Sequence, residues 1–175
     1  MKTRNGFVSN SSSSSFVIAL SEKPKSVAQV MDLLCDDDQS SFSHPYERQG
    51  LAASDVAACV LRDLGDEEAG PLTFDQLVEE LMGGWLFYDQ LEKEFPYPDR
   101  EDDPEMIEWR KVCKKRDVRH RELATEYAQA FLKREEIVGK LLFRVEYSDN
   151  DGSFYCAMEH GDIFHNIPHV RISHH

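Results

Sequence analysis

Cysteine is scarce and scattered in this chain: Cys35, Cys59, Cys113 and Cys156 form no Cys-x-x-Cys pair, which excludes a zinc ribbon or a disulfide framework as the organising device. No secretory signal stands ahead of them, so reduced, mostly buried thiols and a cytoplasmic location are expected. Long apolar runs are missing as well. Phe16 to Leu20 and Trp85 to Tyr88 are far too short to cross a bilayer, so no membrane association is expected. Basic charge is in the minority, with 20 Lys and Arg against 33 Asp and Glu and a formal net charge of -13. That balance disfavours whole-surface attraction to nucleic acid or to anionic lipid. The chain also lacks Gly-x-Ser-x-Gly, a glycine-rich phosphate loop with its lysine, and His-Glu-x-x-His, so no ready-made catalytic motif is written in it. At 175 residues it is long enough for one domain with a real core and short for two.

What is present begins with a low-complexity run between two apolar clamps. Gly6-Phe7-Val8-Ser9-Asn10 leads into Ser11, Ser12, Ser13, Ser14 and Ser15, and Phe16-Val17-Ile18-Ala19-Leu20 follows. Serine-rich linkers stay disordered when nothing nearby can bury apolar surface, but here both flanks hold strand-forming residues. A fixed loop or a hydroxyl-rich strand edge is predicted. The string from Lys2 through Phe16 resembles the opening segment of uncharacterised bacterial, archaeal and phage proteins whose remaining sequences differ from one another. The resemblance covers about the first eighteen residues and implies no fold or activity. It suggests a reused recognition or modification tag, or else a shared structural opening strand.

Periodicity predicts the rest of the architecture. Phe16 to Leu20 reads as a buried strand. Ser26 and Gln29 offer a capping box to a helix whose stripe is Val27, Val30, Met31 and Leu34. Asp36, Asp37 and Asp38 then read as a solvated acidic loop reaching Ser43 rather than a metal site, because no spaced ligand pattern accompanies them. Ser54 caps a second helix, ended by Gly65, and Thr73 with Gln76 caps a third, closed by Gly83-Gly84. Trp85 to Phe95 reads as a short aromatic helix whose rings are expected in the core. Asp103 and Pro104 open a long helix to about Glu136. Leu141 to Tyr147 alternates as a strand, Asp149-Asn150-Asp151-Gly152 supplies turn chemistry, and Ser153 to Glu159 is predicted to return as a hairpin partner. His169 to His175 adds a further strand. The fold expected is α+β in a single domain, residues 1–175. A small, mainly antiparallel sheet comes from both termini (1–25 and 138–175), and a helical layer or insertion from 26–137 packs on it.

Two concentrations of residues invite a functional reading. From Arg110 to Arg121 seven cations gather on the long helix of an otherwise acidic chain. They suit either a nucleic-acid or phosphate face or pairing with the neighbouring acidic stretch Glu92 to Glu108. Five of the seven histidines lie in the last sixteen residues. His160, His165 and His169 with Glu159 or Asp162 could hold a divalent metal for a hydrolase. On an extended strand, however, His169, Arg171, Ser173 and His175 share one face, where Arg171 would repel a cation and suit an anion. If that strand lies beside the N-terminal one, Ser11 to Ser15 with His169 and Arg171 could form a phosphate or nucleotide pocket, with His160 or His169 as acid or base. Against both stands a third expectation: a non-enzymatic acidic interaction protein with a protein partner and no cofactor, its serine-rich opening acting as docking or modification element.

Overall fold

The run after the serines becomes the middle of a sheet. In the computed structural model, which describes residues 13–36, 39–48, 50–65, 70–96 and 105–174, β1 is Ser13–Leu20. It pairs antiparallel with both Leu141–Ser148 and His169–Ser173, the outer strands of a three-stranded sheet. The two ends of the described chain are thus neighbours, as the patterning predicts. Ser14 lies opposite Ser173, Phe16 opposite Arg171 and Ile18 opposite His169.

Both faces of β1 are covered, which is why its apolar run does not alternate. Phe16, Ile18 and Leu20 enter one core, and Val17 and Ala19 enter the other. Over the first face pack α1 (Val27–Leu34) and α2 (Ala53–Gly65), through Val30 and Leu34 and through Val56, Val60 and Leu64. Over the second pack α3 (Phe74–Gly83), α4 (Tyr88–Glu94) and the C-terminal half of α5 (Glu105–Leu132), through Leu77 and Leu81, Leu91, and Ala124, Ala128 and Phe131. The fold is α+β, and its sheet is sandwiched between helices rather than backed by a single layer. No helix among the described residues is long and apolar enough to cross a membrane.

Local sequence explains the boundaries. Thr73 and Gln76 make the complete reciprocal capping box of α3. At α1 Ser26 accepts from the Gln29 amide, but the Gln29 side chain reaches past Ser26 to the Lys25 N–H at 2.6 Å. Helix α2 starts at Ala53, one residue before its expected cap. Helix α5 stops at Leu132, short of Glu136, and gives way to turns. Trp85 to Phe87 form a turn, and α4 begins only at Tyr88. Asp37, Asp38, Asp103 and Pro104 lie outside the described residues.

Two expectations need correction. The segment Ser153 to Glu159 is no strand; it is part of helix α6 (Ser153–His160). The Ser148 hydroxyl accepts from the Asn150 amide, Asp149–Asp151 form a 3-10 turn, and Gly152 at φ 106° turns the chain into the helix. Gly152 adopts that left-handed φ without steric cost. The Leu141–Ser148 strand, β4 in chain order, finds its partner in β1 instead. Ser41–Phe42, in the stretch read as a loop to Ser43, pairs antiparallel with Leu51–Ala52 as β2 and β3, because Phe42 is drawn into the core. The C-terminal strand is therefore β5.

Candidate functional site

The pairing of β1 with β5, and the packing of α6 across them, gathers part of the predicted site. Ser14 and Ser15 are buried, and so is Glu159. The Ser14 hydroxyl donates to Glu159 Oε1 at 3.2 Å and accepts from Arg171 Nε at 3.1 Å. The Asp149 amide donates to Glu159 Oε2 at 2.9 Å. Arg171 Nη2 stands 4.0 Å from Glu159 Oε1 and 3.3 Å from His160 Nδ1, and its guanidinium lies over the Phe16 ring. An internal carboxylate occupies the place that a bound phosphate would take beside Arg171. This cluster is a charge-paired, hydrogen-bonded polar node that runs from the buried Ser14 and Glu159 to the exposed Arg171, of the kind that fixes register between elements.

Asp149, Glu159 and His160 each offer a ligand atom within 4.8 Å of the others, so among the described residues these three could hold a metal ion. Arg171 beside two of them opposes a cation there. Sequence reasoning passed over Asp149 as a companion of Glu159, because the turn that brings it round depends on α6 being a helix. His165 does not join the group; its Nδ1 donates to the Asp162 carbonyl at 2.8 Å within its own turn. His169 faces its own strand entrance, with Nδ1 bound to the Ile167 carbonyl at 2.9 Å and its ring against Phe16 and Phe164. Ser15 pairs with His174 Nε2 at 2.8 Å, and His174 Nδ1 with the Gly83 carbonyl at 3.1 Å. Ser11, Ser12 and His175 lie outside the described residues.

A second histidine-serine contact was not legible in the sequence, because 109 positions separate its partners. His44 Nδ1 accepts from the Tyr46 and Glu47 amides at 3.1 and 3.0 Å, which puts the ring proton on Nε2. That nitrogen donates to the Ser153 carbonyl at 3.0 Å, and the Ser153 hydroxyl donates to Glu47 at 2.5 Å. An imidazole in this tautomer cannot take the serine proton, so the contact clamps a loop onto α6 and does not build a nucleophile.

The aromatic turn before α4 departs from the closed core expected of it. Phe87 is buried, but Trp85 is 49%, Tyr88 39% and Leu86 37% exposed. Trp85 and Tyr88 stack with centroids 4.5 Å apart. Gly84 makes their placement possible. A Cβ there would come within 2.1 Å of Ile172 Cγ2 and 2.8 Å of the Ser173 carbonyl, and it is this close approach that lets the Trp85 N–H donate to Ser173 O at 2.9 Å. The two rings, Gly84 and Leu91 on one side and Arg116, Asp117 and His120 of α5 on the other, line a cleft of about 260 Å³. Arg116 Nε and His120 Nε2 are buried behind its wall with no hydrogen-bond partner among the described residues. Burial, and then the nearby Arg116 charge, hold the His120 pKa below its ordinary value, so the imidazole is neutral near pH 7.

The basic block of α5 divides. Arg119 reaches Glu94 on α4 at 3.1 Å and Glu122 at 3.2 Å, and Arg121 reaches Glu79 on α3 at 2.6 Å. Arg116 instead lies over the Trp109 ring. Arg110 and Lys111 have no described side chains. No protein family, curated protein or solved structure matches the chain.

Proposed function

We propose that this protein is a non-enzymatic interaction module, and that its recognition end is the end of the sheet where the serine-rich opening joins β1. One observation carries the reading: the terminus of β5 holds the opening and an exposed aromatic pair on its two sides. The Ser13 carbonyl accepts from the His174 N–H, while across the strand the Ser173 carbonyl accepts from the Trp85 N–H. Two strand spacings, roughly 10 Å, separate such flanks. Trp and Tyr half-exposed beside one another are the residue types that dominate binding energy at interfaces. The polar cluster around Glu159 supports the same reading from the other side. Its hydroxyl, carboxylate and guanidinium hydrogen-bond or pair with one another, which supports a structural use of Ser14, Glu159 and Arg171.

In this reading the docking or modification element of the opening ends before Ser14, because Ser14 and Ser15 serve the sheet. Affinity purification of the intact chain, of Trp85→Ala/Tyr88→Ala and of a chain lacking residues 1–12 tests the reading. A partner held by the intact chain and lost from both variants, each still folded by circular dichroism, is the expected result. Partners retained by both would overturn it.

A further inference from the structure

The cleft beneath Trp85 and Tyr88 has chemistry that an outer docking surface does not require. Its volume of about 260 Å³ falls just under the range of about 300–1,000 Å³ typical of sites for drug-sized ligands, so it suits a single ring system. One wall is a stacked pair of aromatic rings, a platform on which any planar heterocycle can stack. The opposite wall sets a guanidinium, Arg116, next in sequence to a carboxylate, Asp117, with His120 one turn on. Neither Arg116 nor Asp117 has a hydrogen bond or ion pair among the described residues, whereas Arg119 and Arg121 on the same helix are both paired.

Arg116 keeps its contact over the Trp109 ring, but both side chains line the cleft without a hydrogen bond or ion pair among the described residues, and a ligand that satisfies both carries the reverse pattern: a carbonyl acceptor and an N–H donor. The net charge of -13 argues against an anionic ligand and against a nucleic-acid strand. A neutral ring with that edge is a 6-oxopurine. Its O6 and N7 accept from arginine, its N1–H donates to a carboxylate, and its bicyclic face stacks. Adenine presents an amino group where the oxygen should be, and would set N–H against Arg116.

We infer that the Trp85–Arg116–Asp117 cleft binds a free 6-oxopurine base or nucleoside. Protein partners on the outer rings are a separate matter, and failure of this inference leaves that reading standing.

Calorimetric titration of the full chain with inosine is the test, with Trp85 emission as a second readout. Saturable binding of inosine is expected, with adenosine at least about tenfold weaker, because a site that hydrogen-bonds one edge rejects the analogue that lacks it. Asp117→Asn and Arg116→Gln, both on the cleft wall formed by α5, should each weaken inosine at least about tenfold while leaving the circular dichroism spectrum unchanged. No saturation up to low-millimolar inosine, equal affinity for adenosine, or unchanged affinity in folded Asp117→Asn would overturn the assignment. Much tighter binding of inosine monophosphate than of inosine would overturn it too, since recognition would then lie in the phosphate.

Discussion

Ser14 and Glu159, 145 residues apart in sequence, meet at 3.2 Å in the seam between β1 and α6. Each Glu159 oxygen already accepts a hydrogen bond, one from Ser14 and one from the Asp149 amide, and Arg171 supplies the opposite charge. A buried carboxylate so placed is costly to lose, because its donors and the cation remain behind. Glu159→Ala is expected to lower the unfolding free energy by about 3 kcal/mol. Glu159→Gln, which keeps one acceptor, should lower it by about 1–2 kcal/mol. Urea denaturation measures both. An alanine variant as stable as the parent would mean that the node contributes nothing.

The serine run should divide into parts that differ in stability effect. Ser14→Ala removes an acceptor from Arg171 and a donor to Glu159 at once, and about 1–2 kcal/mol of destabilisation is expected. Ser15→Ala frees only the His174 contact and should cost about 1 kcal/mol. Ser13→Ala, at the half-buried start of β1, should stay within about 0.5 kcal/mol. Equal small effects at all three positions, read from the same urea curves, would show that the hydroxyls serve something other than the sheet.

Much of the scaffold was readable because it rests on local signals. The capping box at Thr73, the glycine stops and the apolar run of β1 each act within a few residues, and the union of both chain ends in one sheet followed from strand patterning at each end. The Ser153 segment was misread because Phe154, Cys156 and Met158 alternate with Tyr155 and Ala157 in a way that serves a strand as well as a short helix. What decides is tertiary: Gly152 turns the chain, and Ala157, Met158 and Glu159 are buried beneath it. The candidate sites were harder still. The approach of Arg171 to Ser14 was foreseeable from strand pairing, but the carboxylate that satisfies them arrives on a helix taken for a strand. The openness of the Trp85 cleft depends on Gly84 docking against Ile172, a contact that no pattern in either segment announces.

That glycine gives a sharp test. A methyl group at position 84 meets Ile172 Cγ2 and a backbone carbonyl at once, and the carbonyl cannot rotate away. Gly84→Ala should therefore push the turn off the end of β5 and break the Trp85 N–H to Ser173 O bond. Overpacking of this kind costs about 1–3 kcal/mol. Tryptophan emission should shift to longer wavelength as Trp85 loses its seat, and any affinity of the cleft for inosine should fall with it. Unchanged emission and stability would show that the approach is looser than the structure has it.

Stability should also fall away on both sides of neutrality, for two separable reasons. On the acid side, burial and then Arg116 hold the His120 pKa below 6.5. Between that depressed value and 6.5 the unfolded chain binds a proton that the folded chain refuses, so stability declines as pH drops through this window. On the alkaline side, burial and then Asp63 raise the Cys59 pKa from 9.0 to about 12. Between pH 9 and about 12 the unfolded thiol ionises while the folded one cannot, so stability is lost as pH rises. His120→Asn should flatten the acid limb alone and Cys59→Ala the alkaline limb alone, in urea midpoints measured from pH 5 to 10. The same burial should keep Cys59 unreactive toward iodoacetamide at pH 8 until the chain unfolds. Fast labelling of the folded protein at Cys59, located by peptide mass, would contradict the alkaline half of the argument and leave the acid half untouched.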